Sequence, residues 1–282
     1  MSDAPYAAWV GRSETRRDVI TSAPLRGLSA LLDRDEAWES GEIPPLAHWL
    51  YFLPATRQSE LGEDGHPRRG GFLPPIELPR RMWAAGRLTF QAPLRVGDAV
   101  ERISTIKSVT EKAGASGPLV FVTLTHAVRA NGALAIEEDQ DIVYRGESGA
   151  ARAGPPSSRV AERERVFAPD STLLFRYSAL TFNAHRIHYD AEYARTRENY
   201  PGLVVQGPLI ATLLMDHHVS AHGAPRGFSF RADCNGGFGS YEMDGSSVTL
   251  GPLGTTLMLC PAGGQGSEFS PAFDVLFEDD FD

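Results

Sequence analysis

Three observations predict an α+β fold built in two halves. A helical front gives way to long alternating runs between residues 87 and 144. A stretch of small, Gly/Pro/Ser-rich residues, GESGAARAGPPSSR, follows at 146–159. Beyond it the order of helices first and strands after begins again. Helices followed by a meander of consecutive strands indicate an antiparallel sheet rather than a parallel one.

Taken in order, residues 1–40 look helical in their second half. Ser22 is placed to cap a helix that tolerates Pro24 in its first turn, and Leu25, Leu28, Leu31 and Leu32 mark one apolar face. Pro44, Pro45, Pro54, Pro67, Pro74, Pro75 and Pro79 then leave room only for short regular pieces. PLAHWLYFL at 45–53 is apolar nearly all round and reads as a short buried helix, with His48 a packed core residue. Strands are expected at 87–90, 99–110, 119–130 and 133–144, with Asn131-Gly132 a strong hairpin signal between the last two.

In the second half, Pro169-Asp170 precedes a helix carrying Leu173, Leu174, Tyr177 and Leu180. A second helix is expected from about Gly207 to His222, then strands at 227–231, 247–250, 255–260 and 272–277. The shared order suggests two copies of one fold, although residue-level similarity between the halves is weak.

Composition narrows the function. The chain has 282 residues and a net charge of -9, with no basic tract to neutralise phosphates, which argues against a general nucleic-acid binder. No apolar run approaches the roughly 20 residues of a membrane span. The N-terminus lacks the apolar core of a signal peptide, so a cytoplasmic setting is expected. Cys234 and Cys260 have no metal-type spacing and read as two free thiols.

The chemistry concentrates between Phe175 and Met215. Asn183, His185, Arg186 and His188 form a polar core, and histidine can gain and lose a proton near neutral pH. No Cys, Asp or Glu stands at ligand spacing, so no metal is expected. Gly207-Pro208 opens the second helix. N–H groups of a first helical turn lack intrahelical partners, and a glycine lets a ligand approach its backbone closely, so a thioester carbonyl or enolate oxygen could be held there. The bland alternatives are a hydrogen-bonded loop and an ordinary buried helix start.

FNAHRIHYD at 182–190 with YPGLVVQGPL at 200–209 resembles the motif of the MaoC-like (R)-specific enoyl-thioester hydratase and dehydratase group. PPLAHWLYFLP at 44–54, DGHP at 64–67, GFLPP at 71–75, LPRRMWA at 78–84, FQAPLRVGD at 90–98 and SGPLVFVT at 116–123 are similar to its two-domain branch. That branch includes mesaconyl-C4-CoA (3-methylfumaryl-CoA) hydratase and the mitochondrial-type 3-hydroxyacyl-thioester dehydratase. The resemblance covers about residues 10–231 and is poor over the last fifty residues, where 233–270 are glycine-rich.

The resemblance implies a double hot-dog fold, each curved antiparallel sheet wrapping a central helix. A non-catalytic domain is expected at 1–145, a linker at 146–160 and a catalytic domain at 161–282. It implies a hydro-lyase acting on an α,β-unsaturated acyl-CoA, with mesaconyl-C4-CoA as the favoured substrate and citramalyl-CoA as product. A 3-hydroxyacyl dehydratase working on acyl carrier protein or CoA is the alternative, and a non-catalytic thioester-binding protein a third. No cofactor, nucleic acid or membrane is expected, and assembly into a homo-oligomer is left open.

Residue by residue, the resemblance makes His188 the catalytic histidine and Gly207 the glycine whose N–H meets the thioester carbonyl. Asn183 stands where many relatives carry an acidic partner. Asparagine exchanges no proton, though its amide can orient water. A dicarboxylic acyl group needs a cation for its free carboxylate, and Arg186, Arg80 and Arg81 are the expected donors. His185, Gln206 and Tyr200 are expected beside the substrate. Trp49, Phe52 and Trp83 are candidates for the wall of an acyl tunnel, although such residues are more often core.

Overall fold

The computed structural model describes residues 5–114, 117–146, 163–166, 169–200, 202–232, 239–243, 246–250 and 256–260. Its elements in the first half are β1 (Ser13–Val19), α1 (Ser22–Leu31), β2 (Arg80–Phe90), β3 (Ala99–Gly114), β4 (Gly117–Ala130) and β5 (Ala133–Arg145). The second half holds β6 (Arg163–Val166), α2 (Ser171–Leu180), α3 (Ala191–Thr196), α4 (Gly207–His222), β7 (Gly227–Ala232), β8 (Gly239–Met243), β9 (Ser246–Leu250) and β10 (Thr256–Cys260). The fold is α+β. Among the described residues no helix is long and apolar enough to cross a membrane.

The strands form one antiparallel sheet in the order β1-β3-β4-β5-β2-β7-β8-β9-β10-β6. The β4–β5 hairpin turns at Asn131 and Gly132, both with positive φ (50° and 89°), the backbone that a two-residue hairpin of this twist requires. The β2–β7 pairing joins the halves and sets Gly86 opposite Phe230. A Cβ on Gly86 would come within 2.3 Å of the Phe230 ring, so only glycine lets the two strands close there.

The two halves share layers but not strand order. From the central strand β2 the chain passes to β3, beside the edge, and works inward. From β7 it passes to the neighbouring β8 and works outward as a meander. The strand β1 was not expected from the sequence, whose SETRRDV pattern carries a single large apolar residue; it is an edge strand with alternating exposure, paired only with β3. β8, GSYEM, was likewise not expected.

Several boundaries move. The α1 cap is Thr21, one residue before the expected Ser22. Residues 45–53 form only a short 3-10 turn at Ala47–Leu50. β2 begins seven residues before the expected Arg87, at Arg80. The expected linker, save Gly146, and the expected strand 272–277 lie outside the described residues.

Helix α4 is the centre of the packing. Leu209 through Met215 are buried without a break, as in a helix enclosed on all sides. They share one apolar cluster with α1, α2, β2 and β7 through Leu25, Leu28, Leu174, Tyr177, Leu88, Phe228 and Phe230. Trp49 and Phe52 belong to this core rather than to a cavity wall. His48 is buried as expected, held 3.2 Å from the Glu138 carboxylate.

Candidate active site

A cavity of about 410 Å³ opens between the two halves. From the first half it is lined by the Asp64–Pro67 turn, by Arg80 to Trp83 of β2, and by Gln140, Ile142 and Arg145 of β5. From the second come Asn183, His185, His188, Tyr200 and the segment from Val204 to Pro208. The β2–β5 register slips between Trp83 and Ala85, just after the lining residues. Such a bulge bends a strand and re-aims its side chains.

Helix α2 ends at Leu180, and Phe182 takes a positive φ of 49°. The chain then lies across the cavity. Asn183 Oδ1 accepts from the His185 N–H at 3.1 Å, which leaves the amide NH₂ as its freer group. A 3-10 turn, Arg186–His188, buries His188. Its Nδ1 lies 2.7 Å from the Val204 carbonyl oxygen and must carry the hydrogen; Nε2 keeps the lone pair. Burial pushes the His188 pKa down to about 4 against the pull of that carbonyl. The ring is therefore a neutral base at neutral pH.

The chain reaches α4 through Gln206, which is buried and anchored. Its Nε2 donates to the Leu174 carbonyl (2.8 Å) and to Ser178 Oγ (2.9 Å), tying the start of α4 to α2. Gln206 thus lines the cavity as a structural brace. Gly207 heads the helix with Pro208 behind it, and a Cβ there would meet no protein atom within 4 Å. The space beside it belongs to the cavity.

Arg80, Arg81 and Tyr200 also reach the cavity as expected. Arg80 is 8% exposed; its Nε lies 3.2 Å from Glu198. Its NH2 nitrogen is buried with no hydrogen-bond partner. Trp83 is the one expected tunnel aromatic found in the lining.

Arg186 stands apart from the other expected residues. It does not line the cavity. Its guanidinium pairs with Asp190 at 2.7 Å, donates to the Glu63 carbonyl at 3.2 Å and lies 4.1 Å over the Tyr193 ring. These contacts fasten α3 to the loop before Asp64.

Two neighbours had no role in the sequence reading. Asp64 and His66 stand on a tight turn whose Gly65 has φ of +87°. Asp64 accepts from His66 twice, from its N–H at 3.0 Å and from Nδ1 at 2.9 Å. The Asp64 carbonyl takes the Arg186 N–H at 2.9 Å, which docks the turn on the segment from Asn183 to His188. The His66 ring centroid lies 4.1 Å from that of His185, which lies 5.3 Å from that of His188. Burial alone would raise the Asp64 pKa, but the bonds from His66 hold it down to about 2. Burial pushes His66 down against Asp64's pull, and pushes His185 down to about 2, helped by His66 and His188.

Donor atoms of Asp64, His66 and His185 lie within 4.8 Å of one another. That spacing alone would admit a divalent cation. Both Asp64 oxygens and the His66 Nδ1 are already engaged with each other, so the group reads as a carboxylate–imidazole pair with a second ring against it. The signal available in the sequence was Asp-Gly-His between proline-rich segments, a polar turn where packing needs none.

The family model for hydroxyacyl-thioester dehydratase type 2 matches residues 46–233, and the META domain model matches residues 211–276. The change in strand order after β7 falls where the first match ends. Mesaconyl-C(4)-CoA hydratase of Chloroflexus aurantiacus is 48% identical over 241 residues, covering 82% of this chain and 85% of its own. Mitochondrial hydroxyacyl-thioester dehydratase type 2 of Schizosaccharomyces pombe is 30% identical over 244 residues, covering 73% and 79%. A solved MaoC-like dehydratase superposes with a TM-score of 0.60 at 11% identity, over 92% of this chain and 100% of its own. A Mycobacterium tuberculosis protein described as a double hot-dog fold gives 0.51 at 9% identity, over 89% and 96%. These structures establish the double hot-dog architecture.

Proposed function

The chain belongs to the hydroxyacyl-thioester dehydratase type 2 family, and from that premise we propose that it is a hydro-lyase adding water to an α,β-unsaturated acyl-CoA, mesaconyl-C4-CoA, to give citramalyl-CoA. The 48% identity to mesaconyl-C(4)-CoA hydratase supports the substrate. The observation that carries it is Arg80. Arg80 lines the cavity that holds His188 and Gly207, and its buried guanidinium has an unpartnered NH2. Leaving a buried donor unmatched is costly, and a substrate carboxylate would complete the guanidinium's fork.

His188, Asn183 and Gly207 are the proposed reaction centre. The thioester carbonyl draws electron density from the double bond. The Gly207 N–H, at the positive end of α4, steadies the enolate oxygen as water attacks the β-carbon. His188 Nε2 takes the proton from that water, which the Asn183 amide orients. The first half is proposed as a scaffold domain that walls the cavity, joined through residues 146–160 to the domain carrying the motif. An acyl-CoA is the proposed partner.

Dehydration of a 3-hydroxyacyl thioester is the second reading, favoured by the family description and by the 30% identical fission-yeast relative. An assay at the enoyl-thioester absorbance band separates the two. It compares mesaconyl-C4-CoA, crotonyl-CoA and a medium-chain enoyl-CoA. The highest kcat/KM is expected with mesaconyl-C4-CoA; a preference for the medium chain would give the protein to the second reading.

A further inference from the structure

The motif leaves a chemical gap. Hydration takes one proton from water and delivers one to the α-carbon, and Asn183, where relatives carry an acid, can do neither. The cavity contains another titratable pair, contributed by the other half of the chain. His66 donates from Nδ1 to Asp64 at 2.9 Å, so its Nε2 is the nitrogen left for exchange. Among the described residues lining the cavity, His66 is the imidazole hydrogen-bonded to a carboxylate. A carboxylate so placed both orients a ring and stabilises the cation it becomes.

We propose that His66, oriented by Asp64, is the second proton carrier of this site: it exchanges the α-proton while His188 exchanges the proton of the attacking or departing water. The inference rests on the hydratase reading above. In hydration, His188 Nε2 takes a proton from water as the oxygen bonds to the β-carbon. The π electrons move to the α-carbon and carbonyl as the enolate. The His66 imidazolium then gives its Nε2 proton to the α-carbon and the carbonyl reforms. The substrate has gained one water, and one proton has moved from His66 to His188. The two rings regain their starting protonation states by exchange with solvent water; His185 stands between them, its ring centroid 4.1 Å from that of His66 and 5.3 Å from that of His188. Dehydration runs the same steps backward.

The close docking of the two halves supports the assignment. A Cβ on Gly65 would lie 1.8 Å from the Ala184 carbonyl oxygen, so the Asp64–His66 turn approaches the catalytic segment as closely as only glycine permits. Charged and titratable groups facing His66 are Asp64, Arg69, Arg81 and His185, with His188 beyond. Burial, and after it the arginines, oppose protonation of His66, and Asp64 favours it.

The test uses the full chain. Steady-state hydration is measured against pH for wild type, His66→Gln and Asp64→Asn. His66→Gln should lower kcat by about 10²-fold or more with KM changed less than about threefold. Wild-type hydration should fall as pH rises through the His66 pKa, because the acid form delivers the α-proton. His66→Gln should lose that limb. Asp64→Asn should move it to lower pH, since the carboxylate that favours the cation is gone.

Full kcat and an unchanged limb in His66→Gln would overturn the proposal while leaving the hydratase reading intact. If that variant does not fold, an unmoved limb in Asp64→Asn overturns it. A wild type that hydrates none of the three thioesters overturns the hydratase reading, and this inference with it. Rate lost on chelation and restored by a divalent cation would assign the cluster to a metal and overturn it too.

Discussion

His188 Nδ1 lies 2.7 Å from the carbonyl oxygen of Val204, and this contact fixes which nitrogen does chemistry. The hydrogen is committed to the carbonyl, so Nε2 is the nitrogen left for the proposed base. His188→Ala should lower kcat by about 10²–10⁴-fold with a modest change in KM. His185→Ala should cost much less, because that ring touches the reaction through its neighbours. A nearly wild-type rate for His188→Ala beside a dead His185→Ala would reverse the two assignments.

The same burial makes the protein acid-sensitive. The His188 pKa falls from 6.5 to about 4 on folding, so the unfolded chain binds the proton more readily. Stability from this neutral ring is present above pH 6.5 and is lost as pH drops toward 4. The loss is on the order of 3 kcal/mol by the end of that window. Thermal melts between pH 7 and 4 should show it, and His188→Gln should melt with a shallower dependence. Equal slopes would mean that other groups dominate the acid limb.

Gly207→Ala separates ligand from scaffold. An added methyl meets no protein atom within 4 Å, so the melting temperature should hold. If the thioester approaches the Gly207 N–H, the methyl intrudes on it. A fall in kcat/KM of about tenfold or more, ~1.4 kcal/mol of transition-state binding, is then expected. An unchanged kcat/KM would move the oxyanion site elsewhere.

How much was legible in the sequence follows from how local each feature is. The β4–β5 hairpin, the start of α2 after Asp170 and the extent of α4 are written in turn chemistry and apolar runs, and they stand where expected. His188 and Gly207 lie 19 residues apart on one continuous stretch and could be read together. The Asp64–His66 pair could not, because it meets His185 only when a distant turn docks. The placement of Arg186 was not legible for the converse reason: nearness in sequence says nothing of direction, and Asp190, four residues on, pairs with its guanidinium. β1 and β8 escaped because short edge or meander strands carry little apolar alternation.

Arg80→Met tests the carboxylate site. Arg80 lines the cavity with one nitrogen unpaired, whereas Arg186 is fully engaged outside it. Arg80→Met should raise KM for mesaconyl-C4-CoA by tenfold or more, about 1.4 kcal/mol or above, and leave crotonyl-CoA nearly unchanged. Crotonyl-CoA serves as an internal control, because loss of the Glu198 partner would act on both substrates alike. Equal effects would reduce Arg80 to a partner of Glu198.

Gly65→Ala asks whether the catalytic segment depends on the turn that covers it. At φ of +87° any side chain is strained, and the new methyl would lie 1.8 Å from the Ala184 oxygen and 2.7 Å from its carbon. Backbone cannot yield as a side chain tip does, so the turn must lift and give up the 2.9 Å bond from the Arg186 N–H to the Asp64 carbonyl. A stability loss of about 1–3 kcal/mol is expected. Gly71→Ala, which meets nothing within 4 Å, is the control and should be neutral. Assayed well below its melting temperature, Gly65→Ala should still lose most of its kcat, because Asp64 and His66 are carried away from His185. A stable variant with full kcat would mean that the turn's contact with the segment is not needed for turnover.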